Sequence, residues 1–315
     1  MSGFLHLSDD ELAGLGITTS EVIAAIEHAV RAQAEGRLWT TPKSAVTPGD
    51  GRYVMTTLAV GDDPALTVVK CVSVNPRNAA RGIDSINGAI MIMDSETGVL
   101  RAVVDANWIT AVRTAGLSAT VARRLADPEA RTVAFLGCGV QARSHLAALA
   151  DLFPLAEIRA YGRGRANIDN LCIEAEGKGL TALVAETPAE AMRGADLVVS
   201  SMSLTYGAAP FVNAGDLKPG AFASISDTAW AWVPDSMSAL GTVLIDDHAQ
   251  EAAIGKSMTG AATVSGDLAE LITGQIGSRH DPARPSAFIF RGLAIGDFAL
   301  AALAYQRAAT STPSA

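Results

Sequence analysis

The residues with the clearest chemical meaning form a glycine turn, Gly137-Cys138-Gly139-Val140-Gln141-Ala142. An apolar run over residues 132–136 precedes it and predicts a buried strand, and Ala-rich sequence with helical spacing follows. Strand, G-x-G-x-x-A turn and helix together are the context in which this motif binds a dinucleotide. Gly137 permits the tight turn, and Gly139 lets the backbone approach a diphosphate at the helix N-terminus. The alternative is a glycine turn that holds no nucleotide.

The end of the next strand distinguishes the two nicotinamide nucleotides. An NAD site usually has an acidic residue there for the ribose 2′-hydroxyl, but this chain has Tyr161-Gly162-Arg163-Gly164-Arg165. An acidic side chain would repel a 2′-phosphate, whereas Arg163 and Arg165 would pair with it. The sequence therefore predicts NADP, with NAD as the alternative. The alternative interpretation is that both arginines are solvated loop residues.

Three cations and one carboxylate are further candidates. Lys70 lies inside an apolar strand pattern, where burial would lower its pKa, unless it snorkels at a sheet edge. Arg113 begins a helical stretch and could clamp a carboxylate or phosphate, although a surface position is the simpler interpretation. Lys43 follows Pro42 in a loop and is uninformative alone. Asp227 follows the apolar run 220–226, where a carboxylate would face a ligand crevice, or would merely cap a turn.

The elements that must position these residues fall into two groups. Before the glycine turn, a capping box at Thr18 and Glu21 predicts a helix, and apolar runs at 52–58, 66–74, 89–94 and 100–104 predict strands, followed by a helix over 109–125. From residue 132 onward, strands are expected at 158–161, 180–185, 196–201, 220–226 and 242–246, with helices between most of them. This alternation predicts an α/β fold with a Rossmann-type doubly wound sheet, preceded by a mixed α+β domain. Residues 287–308 are expected to form a turn and an apolar helix that returns to the first domain, with residues 310–315 frayed.

Length and charge limit the partners. The 315 residues are long enough for two domains, which we place at 1–125, completed by 291–315, and 126–290. The net charge of −9 argues against nucleic acid and acidic membranes. The three cysteines have no metal-like spacing and fit a reduced, cytoplasmic protein. No signal peptide or membrane-spanning segment is expected. The five histidines show neither metal spacing nor a nucleophile partner, so no metal site is expected.

Several stretches together resemble the ornithine cyclodeaminase/mu-crystallin family along nearly the whole chain. They are VVKCVSVNP around Lys70, MIMDSETGVLRAVVDANWITAVRTAG, FLGCGVQAR, ADLVVSS, LKPG before SISD, and GDLAELITG. The resemblance implies a two-domain homodimer whose first domain holds the substrate and the dimer interface. It also implies that Lys70, Lys43 and Arg113 bind substrate, that Asp227 is the catalytic acid/base, and that Ser85, Arg113, Thr114, Val140 and Gln141 contact the cofactor. From the chemistry alone, Lys70 could replace Asp227 as the proton donor.

Departures from the family pattern favour a substrate other than ornithine. Lys43 stands where many members have arginine, Ile289-Phe290 replaces a polar pair, and Trp230 and Trp232 make the segment after Asp227 unusually aromatic. The leading hypothesis is an NADP-dependent oxidoreductase that reduces the ketimine of a small amino or imino acid, or oxidises the amino acid. One alternative is ornithine cyclodeaminase, which converts ornithine to proline and ammonia with recycled NAD. Another, from a different class, is a non-catalytic protein that binds NADPH or a small ligand.

Overall fold

The computed structural model describes residues 4–203, 207–255, 257–277 and 279–311. The strands are β1 (Leu5–Leu7), β2 (Leu38–Thr40), β3 (Ser44–Val46), β4 (Tyr53–Asp62), β5 (Ala65–Val74), β6 (Ile86–Asp94), β7 (Leu100–Asp105), β8 (Thr132–Leu136), β9 (Glu157–Tyr161), β10 (Thr181–Val184), β11 (Leu197–Ser200), β12 (Phe222–Ile225), β13 (Val243–Ile245), β14 (Gly266–Asp267) and β15 (Ser286–Ile289). The α-helices are α1 (Asp9–Ala13), α2 (Thr19–Ala34), α3 (Ala106–Leu125), α4 (Val140–Leu152), α5 (Arg165–Gly177), α6 (Pro188–Met192), α7 (His248–Ile254), α8 (Leu268–Thr273) and α9 (Ala294–Ser311).

The chain divides into two compact units. The first comprises Met1–Arg113 and Leu293–Ala315, and the second Thr114–Gly292. The boundary therefore lies within α3 and not at residue 125, because the second half of α3 bonds inside the second unit. There, Ser118 lies 2.8 Å from His145 Nε2 and accepts a hydrogen bond of 2.6 Å from Ser224. At the other end, Thr310 and Ser311 belong to α9, contrary to the expected fraying, and residues 312–315 lie outside the described residues.

The first unit is built on a mixed sheet with strand order β1-β7-β6-β5-β4-β2, and β3 pairs with β4. β4, β5, β6 and β7 pair antiparallel, whereas β1 and β7 are parallel. Side chains alternate between the two faces of each strand, so Thr57, Lys70, Ile90 and Val104 form one buried cross-strand row.

Helix α9 lies against the buried face of this sheet. A Cβ at Gly61 in β4 would lie 2.5 Å from Phe298 Cζ. Glycine at this position therefore allows the phenyl ring of Phe298, on α9, to contact the strand directly. Asp297, the neighbour of Phe298, is thereby placed over Thr57 and Lys70. The predicted capping box of α2 is confirmed, because Thr18 caps the Glu21 amide and Glu21 bonds back to Thr18.

The second unit is an eight-stranded parallel sheet with the order β10-β9-β8-β11-β12-β15-β13-β14. The doubly wound fold predicted from the sequence is confirmed, and β8 stands beside the point where strand order reverses. The predicted strands agree with the observed ones within a few residues. β15 corrects the expectation of a turn at the start of residues 287–308, because Ser286–Ile289 form a buried strand between β12 and β13.

The carboxyl ends of three central strands lie side by side. Leu136 of β8 pairs with Ser200 of β11, and Ser200 pairs with Ile225 of β12. The residues that follow each strand therefore meet at one edge of the sheet, where doubly wound folds bind ligands.

Candidate active site

The glycine turn joins β8 to α4 at this edge. Gly137 has a φ of +95°, and a Cβ there would lie 2.8 Å from the backbone oxygen of Ser201, so only glycine fits. Gly139 is the N-cap of α4 and forms no side-chain cap bond, and a Cβ at this position would meet nothing within 4 Å. The first amides of α4 are thus available to an anion. Among the described residues, the buried Oε1 of Gln141 has no hydrogen-bond partner.

A cavity of about 280 Å³ opens beside this turn. Its lining includes Gly137, Gly139, Arg163, Met202 and Trp230. The tight glycine, the open glycine and the uncapped helix fit the diphosphate of a dinucleotide.

The other predicted cofactor contacts of the second unit take different positions. Arg165 does not line the cavity; its side chain is 77% exposed and pairs with Asp169 at 2.8 Å. Val140 is exposed at the start of α4. Thr114 is buried, and its carbonyl lies 3.2 Å from the Ser118 hydroxyl.

Asp227 follows β12 at the same edge and is held by neutral donors. Its Oδ2 accepts hydrogen bonds from the Ser200 hydroxyl at 2.7 Å and the Met202 amide at 2.9 Å, and Oδ1 accepts one from the Ala229 amide at 3.2 Å. Burial raises the pKa of Asp227, and these donors oppose that rise. The bond to Ala229 shows that the aspartate also stabilises a turn.

The segment after Asp227 is strained and aromatic. Thr228 and Ala229 both have left-handed backbone angles, with φ of 59° and 55°, which cost of order 1–3 kcal/mol each in residues other than glycine. Trp230 Nε1 donates to the Met202 carbonyl at 3.1 Å, and Trp232 Nε1 donates to Ser200 Oγ at 3.1 Å. Both indoles therefore bond to residues that contact Asp227.

The first unit holds a buried cluster of charges around Asp297. Lys70 is fully buried, and its Nζ donates to Asp297 Oδ1 at 2.5 Å. Arg113 is also buried, with Nε 3.1 Å from Oδ1, and the Thr57 hydroxyl donates to Oδ2 at 3.0 Å. The snorkelling interpretation of Lys70 and the surface interpretation of Arg113 are therefore wrong.

The cluster keeps a net positive charge. Burial lowers the pKa of Lys70 to about 8, although Asp297 opposes this shift. Burial alone would raise the pKa of Asp297, but Lys70 and Arg113 lower it below the ordinary value. Two cations and one anion thus give +1 at neutral pH, in a site where uncompensated charge is costly. Arg113 Nε lies 3.1 Å from Asp297 Oδ1 without the alignment of a hydrogen bond, so the charge of Arg113 is only partly balanced within the cluster.

Two other predicted contacts lie elsewhere in the first unit. Lys43 is half-buried in the loop before β3, and Ser85 is exposed before β6, where its carbonyl accepts the Asn75 amide at 2.8 Å.

Sequence reasoning missed several residues of these sites. Asp297 contacts Lys70, which lies 227 positions away in the sequence. The local sequence contains one signal for Asp297, namely an acidic residue within an otherwise apolar helical stretch. Ser200 was part of a predicted strand end with no assigned role. His145 does have a hydroxyl partner, Ser118, at 2.8 Å, contrary to our expectation.

One group of possible metal ligands occurs among the described residues. Ligand atoms of His248, Asp267 and Glu270 lie within 4.8 Å of one another. Asp267 and Glu270 already form the capping box of α8, so local structure accounts for the grouping. Across the described ranges, no helix has the length and apolarity needed to cross a membrane.

Comparisons with known proteins agree with this architecture. The model of the ornithine cyclodeaminase/mu-crystallin family matches residues 11–312. Ketimine reductase mu-crystallin of Mus musculus is 28% identical over 258 residues, covering 80% of this chain and 79% of that protein.

Two solved structures share the fold. The Delta(1)-pyrroline-2-carboxylate reductase of Thermococcus litoralis, in complex with NADH and L-proline, has a TM-score of 0.86 at 22% identity and covers 98% of both chains. An archaeal alanine dehydrogenase dimer with bound NAD has a TM-score of 0.84 at 24% identity, covering 98% of this chain and 97% of that one.

The fold and the glycine cradle define a dinucleotide-binding enzyme of the NAD(P)-dependent oxidoreductase class. The chain belongs to the ornithine cyclodeaminase/mu-crystallin family, as its sequence predicted.

Proposed function

We propose that this enzyme uses NADPH to reduce the ketimine of a small, cyclic imino acid. The observation that carries the proposal is the buried cluster of Lys70, Arg113 and Asp297, whose net charge of +1 suits a substrate carboxylate. Relatives in the family include a mu-crystallin named as a ketimine reductase and a reductase of pyrroline-2-carboxylate. The second unit supplies the dinucleotide cradle and Asp227.

Reduction of a carbon–nitrogen double bond requires a hydride on carbon and a proton on nitrogen. A bound nicotinamide supplies the hydride, so the chain must supply the proton and hold the substrate. Asp227 is our candidate proton donor, because burial raises its pKa and retains the acid form to higher pH. Lys70 is assigned to the substrate carboxylate, because Lys70 and Arg113 together carry one positive charge more than Asp297 balances.

The decisive experiment follows nucleotide oxidation by the purified protein with pyrroline-2-carboxylate and piperideine-2-carboxylate. We expect NADPH oxidation that Asp227→Asn lowers by a factor of about 100 or more. Asp235→Asn is the matched control, because Asp235 is an exposed aspartate on a separate turn of the same unit; this variant should keep wild-type turnover.

Two other results would replace the proposal. Ammonia release from ornithine without net nucleotide turnover would identify a cyclodeaminase. Nucleotide binding without turnover on either imine or on ornithine would favour the non-catalytic binding protein.

The preference for NADP over NAD is assigned to Arg163. Arg163 lines the cavity, and α5 begins beside it at an N-cap, Gly164, without a side-chain cap bond. A 2′-phosphate would therefore meet a guanidinium and open amides.

Arg163→Ala should lower kcat/KM for NADPH about tenfold and leave kcat/KM for NADH nearly constant. Arg165→Ala, which removes the arginine paired with Asp169, should change neither. Equal losses for both nucleotides in Arg163→Ala would contradict the assignment.

A homodimer and a cytoplasmic location complete the proposal. The solved alanine dehydrogenase with the same fold is a dimer. The sheet of the first unit also has an apolar face that a second copy of the chain could cover. All three cysteines, Cys71, Cys138 and Cys172, are free thiols, which suits a reducing compartment.

A further inference from the structure

A chain of hydrogen bonds leads from a buried indole to the carboxylate of Asp227. Trp232 is only 1% exposed, and its Nε1 donates to Ser200 Oγ at 3.1 Å. Ser200 is fully buried at the end of β11, and its hydroxyl donates to Asp227 Oδ2 at 2.7 Å. Three residues separated in sequence are thus joined at the carboxyl edge of the sheet.

The direction of this chain is determined by donor chemistry. An indole N–H can only donate, so the Ser200 oxygen must accept from Trp232. Among the described residues, Trp232 and Asp227 are the two partners of this hydroxyl. The single hydroxyl hydrogen is therefore directed to Asp227 Oδ2.

The two oxygens of Asp227 are consequently unequal. Oδ2 accepts two hydrogen bonds, from Ser200 and from the Met202 amide, and an oxygen that receives two donors has little capacity to hold a proton itself. Oδ1 accepts a longer bond of 3.2 Å from the Ala229 amide, and the backbone amide of Asp227 itself also bonds to the carboxylate.

We infer that Asp227 carries and transfers its catalytic proton on Oδ1, and that Trp232 is a positioning residue that enforces this choice through Ser200. The inference rests on the proposed role of Asp227 as the proton donor. In the reduction, the Oδ1–H bond breaks as the N–H bond of the product forms, and the carboxylate left behind is stabilised by the Ser200 and Met202 donors. The aromatic segment after Asp227 thereby gains a function.

Without the indole, the Ser200 hydroxyl can rotate. It can then accept a proton from Oδ2 as well as donate to it, which stabilises the acid form of Asp227. In the unit that contains Asp227, the described groups that bond to the carboxylate are the Ser200 hydroxyl and the backbone amides of Met202, Ala229 and Asp227 itself. None of these groups titrates, so a changed pKa after mutation reports on the hydrogen-bond chain.

The test is a double-mutant cycle read on the carboxyl group itself. Infrared difference spectra follow the protonated carboxyl band of Asp227 against pH in the protein without substrate, with Asp227→Asn identifying the band. Trp232→Phe should raise the titration midpoint of the Asp227 carboxyl band by about 0.5–1 pH unit, and Ser200→Ala should raise this midpoint at least as much. In the Ser200→Ala background, Trp232→Phe should add no further shift.

Two variants separate this relay from a packing effect. Ser200→Thr keeps the hydroxyl and should have the wild-type titration midpoint. Trp230→Phe removes an indole N–H that bonds to the Met202 carbonyl and not to Ser200, so this variant should also keep the wild-type midpoint. A shift from Trp232→Phe that is equally large in the Ser200→Ala background would overturn the inference. Because the band is measured without turnover, an inactive protein would refute the proposed function alone.

Discussion

A single carboxylate determines what the buried cations of the first unit can do. Asp297 lies within 3.1 Å of both Lys70 and Arg113, and the Thr57 hydroxyl holds its other oxygen. Without this anion, two cations would be buried together, which is strongly unfavourable. With it, the cluster retains one unit of positive charge, enough to attract one carboxylate. Asp297 therefore stabilises the cluster and leaves it the single positive charge that the proposed substrate carboxylate would balance.

The pKa of Lys70 predicts how ligand binding depends on pH. Burial lowers this pKa to about 8, so Lys70 is charged at pH 7 and loses its proton as the pH rises through 8. The cluster then falls from +1 to neutral and loses a charge-assisted bond, typically worth 1.5–3 kcal/mol. Calorimetry with pyrrole-2-carboxylate, whose charge is constant in this range, should show Kd rising about tenfold or more between pH 7 and 9.5. Lys70→Met should bind weakly at both pH values, and a constant Kd in the wild type would exclude Lys70 from the carboxylate site.

The two turn glycines should respond differently to the same substitution. A Cβ at Gly139 meets nothing within 4 Å, and its φ of −81° is accessible to alanine. Gly139→Ala should therefore fold normally but bind NADPH at least tenfold more weakly, because the methyl group occupies the path of the diphosphate. Gly137→Ala should lower the free energy of unfolding by about 1–3 kcal/mol, since its Cβ meets the Ser201 backbone at positive φ. Nucleotide titration and urea unfolding of both variants measure these effects. Tight NADPH binding by Gly139→Ala would remove the turn from the cofactor site.

At the level of elements, local patterns in the sequence predicted most of the strands and helices. The apolar run before Gly137 and the capping box at Thr18 each depend on residues within a few positions, so they could be recognised. β15 could not be recognised, because its three apolar residues near a glycine do not reveal that the strand inserts between β12 and β13. The same limit applies to the site: Lys70 was identifiable in its strand, but its partner Asp297 lies 227 positions away.

A buried histidine links three elements of the second unit. The Nδ1–H of His145 donates to the Gln141 carbonyl at 2.7 Å, so the opposite nitrogen accepts from Ser118 at 2.8 Å. Ser118 accepts in turn from Ser224 at 2.6 Å. This chain joins α4, which carries the glycine turn, to α3 and to β12, which precedes Asp227. A neutral imidazole satisfies every member of the chain.

His145 should make the protein less stable in acid. Burial lowers its pKa to about 4, against about 6.5 in an unfolded chain. Between these values the unfolded state binds the extra proton, so stability falls as the pH decreases from 6.5 to 4, by about 3 kcal/mol in total. Urea unfolding between pH 7.5 and 4.5 should show this loss of stability. In His145→Gln, the part of the loss that comes from protonation of His145 should be absent. Ser118→Ala should be less stable at every pH but keep the slope, because the imidazole stays buried. An unchanged slope in His145→Gln would assign the acid sensitivity to other groups.

For the whole molecule, the first unit presents an apolar surface on the face of its sheet opposite Lys70. Leu58, Val69, Met91 and Val103 form one cross-strand row on β4, β5, β6 and β7. Leu58 and Met91 are each 37% exposed. A large contiguous apolar patch on the surface of a protein marks an interaction site, and this row is our candidate for such a patch. A second copy of the chain would cover this row with an identical one, related by two-fold symmetry.

A charge placed in this row should therefore separate the copies. Met91→Lys puts an ammonium at the centre of the proposed interface, where burying an unpaired charge costs several kcal/mol. Sedimentation at micromolar concentration should give a dimer for the wild type and a monomer for Met91→Lys. Ile173→Lys is the matched control, because Ile173 is an apolar residue of α5 that is 64% exposed in the other unit, and this variant should remain dimeric. A Met91→Lys protein that stays dimeric would place the interface elsewhere, and a monomeric wild type would leave the apolar row to a different partner.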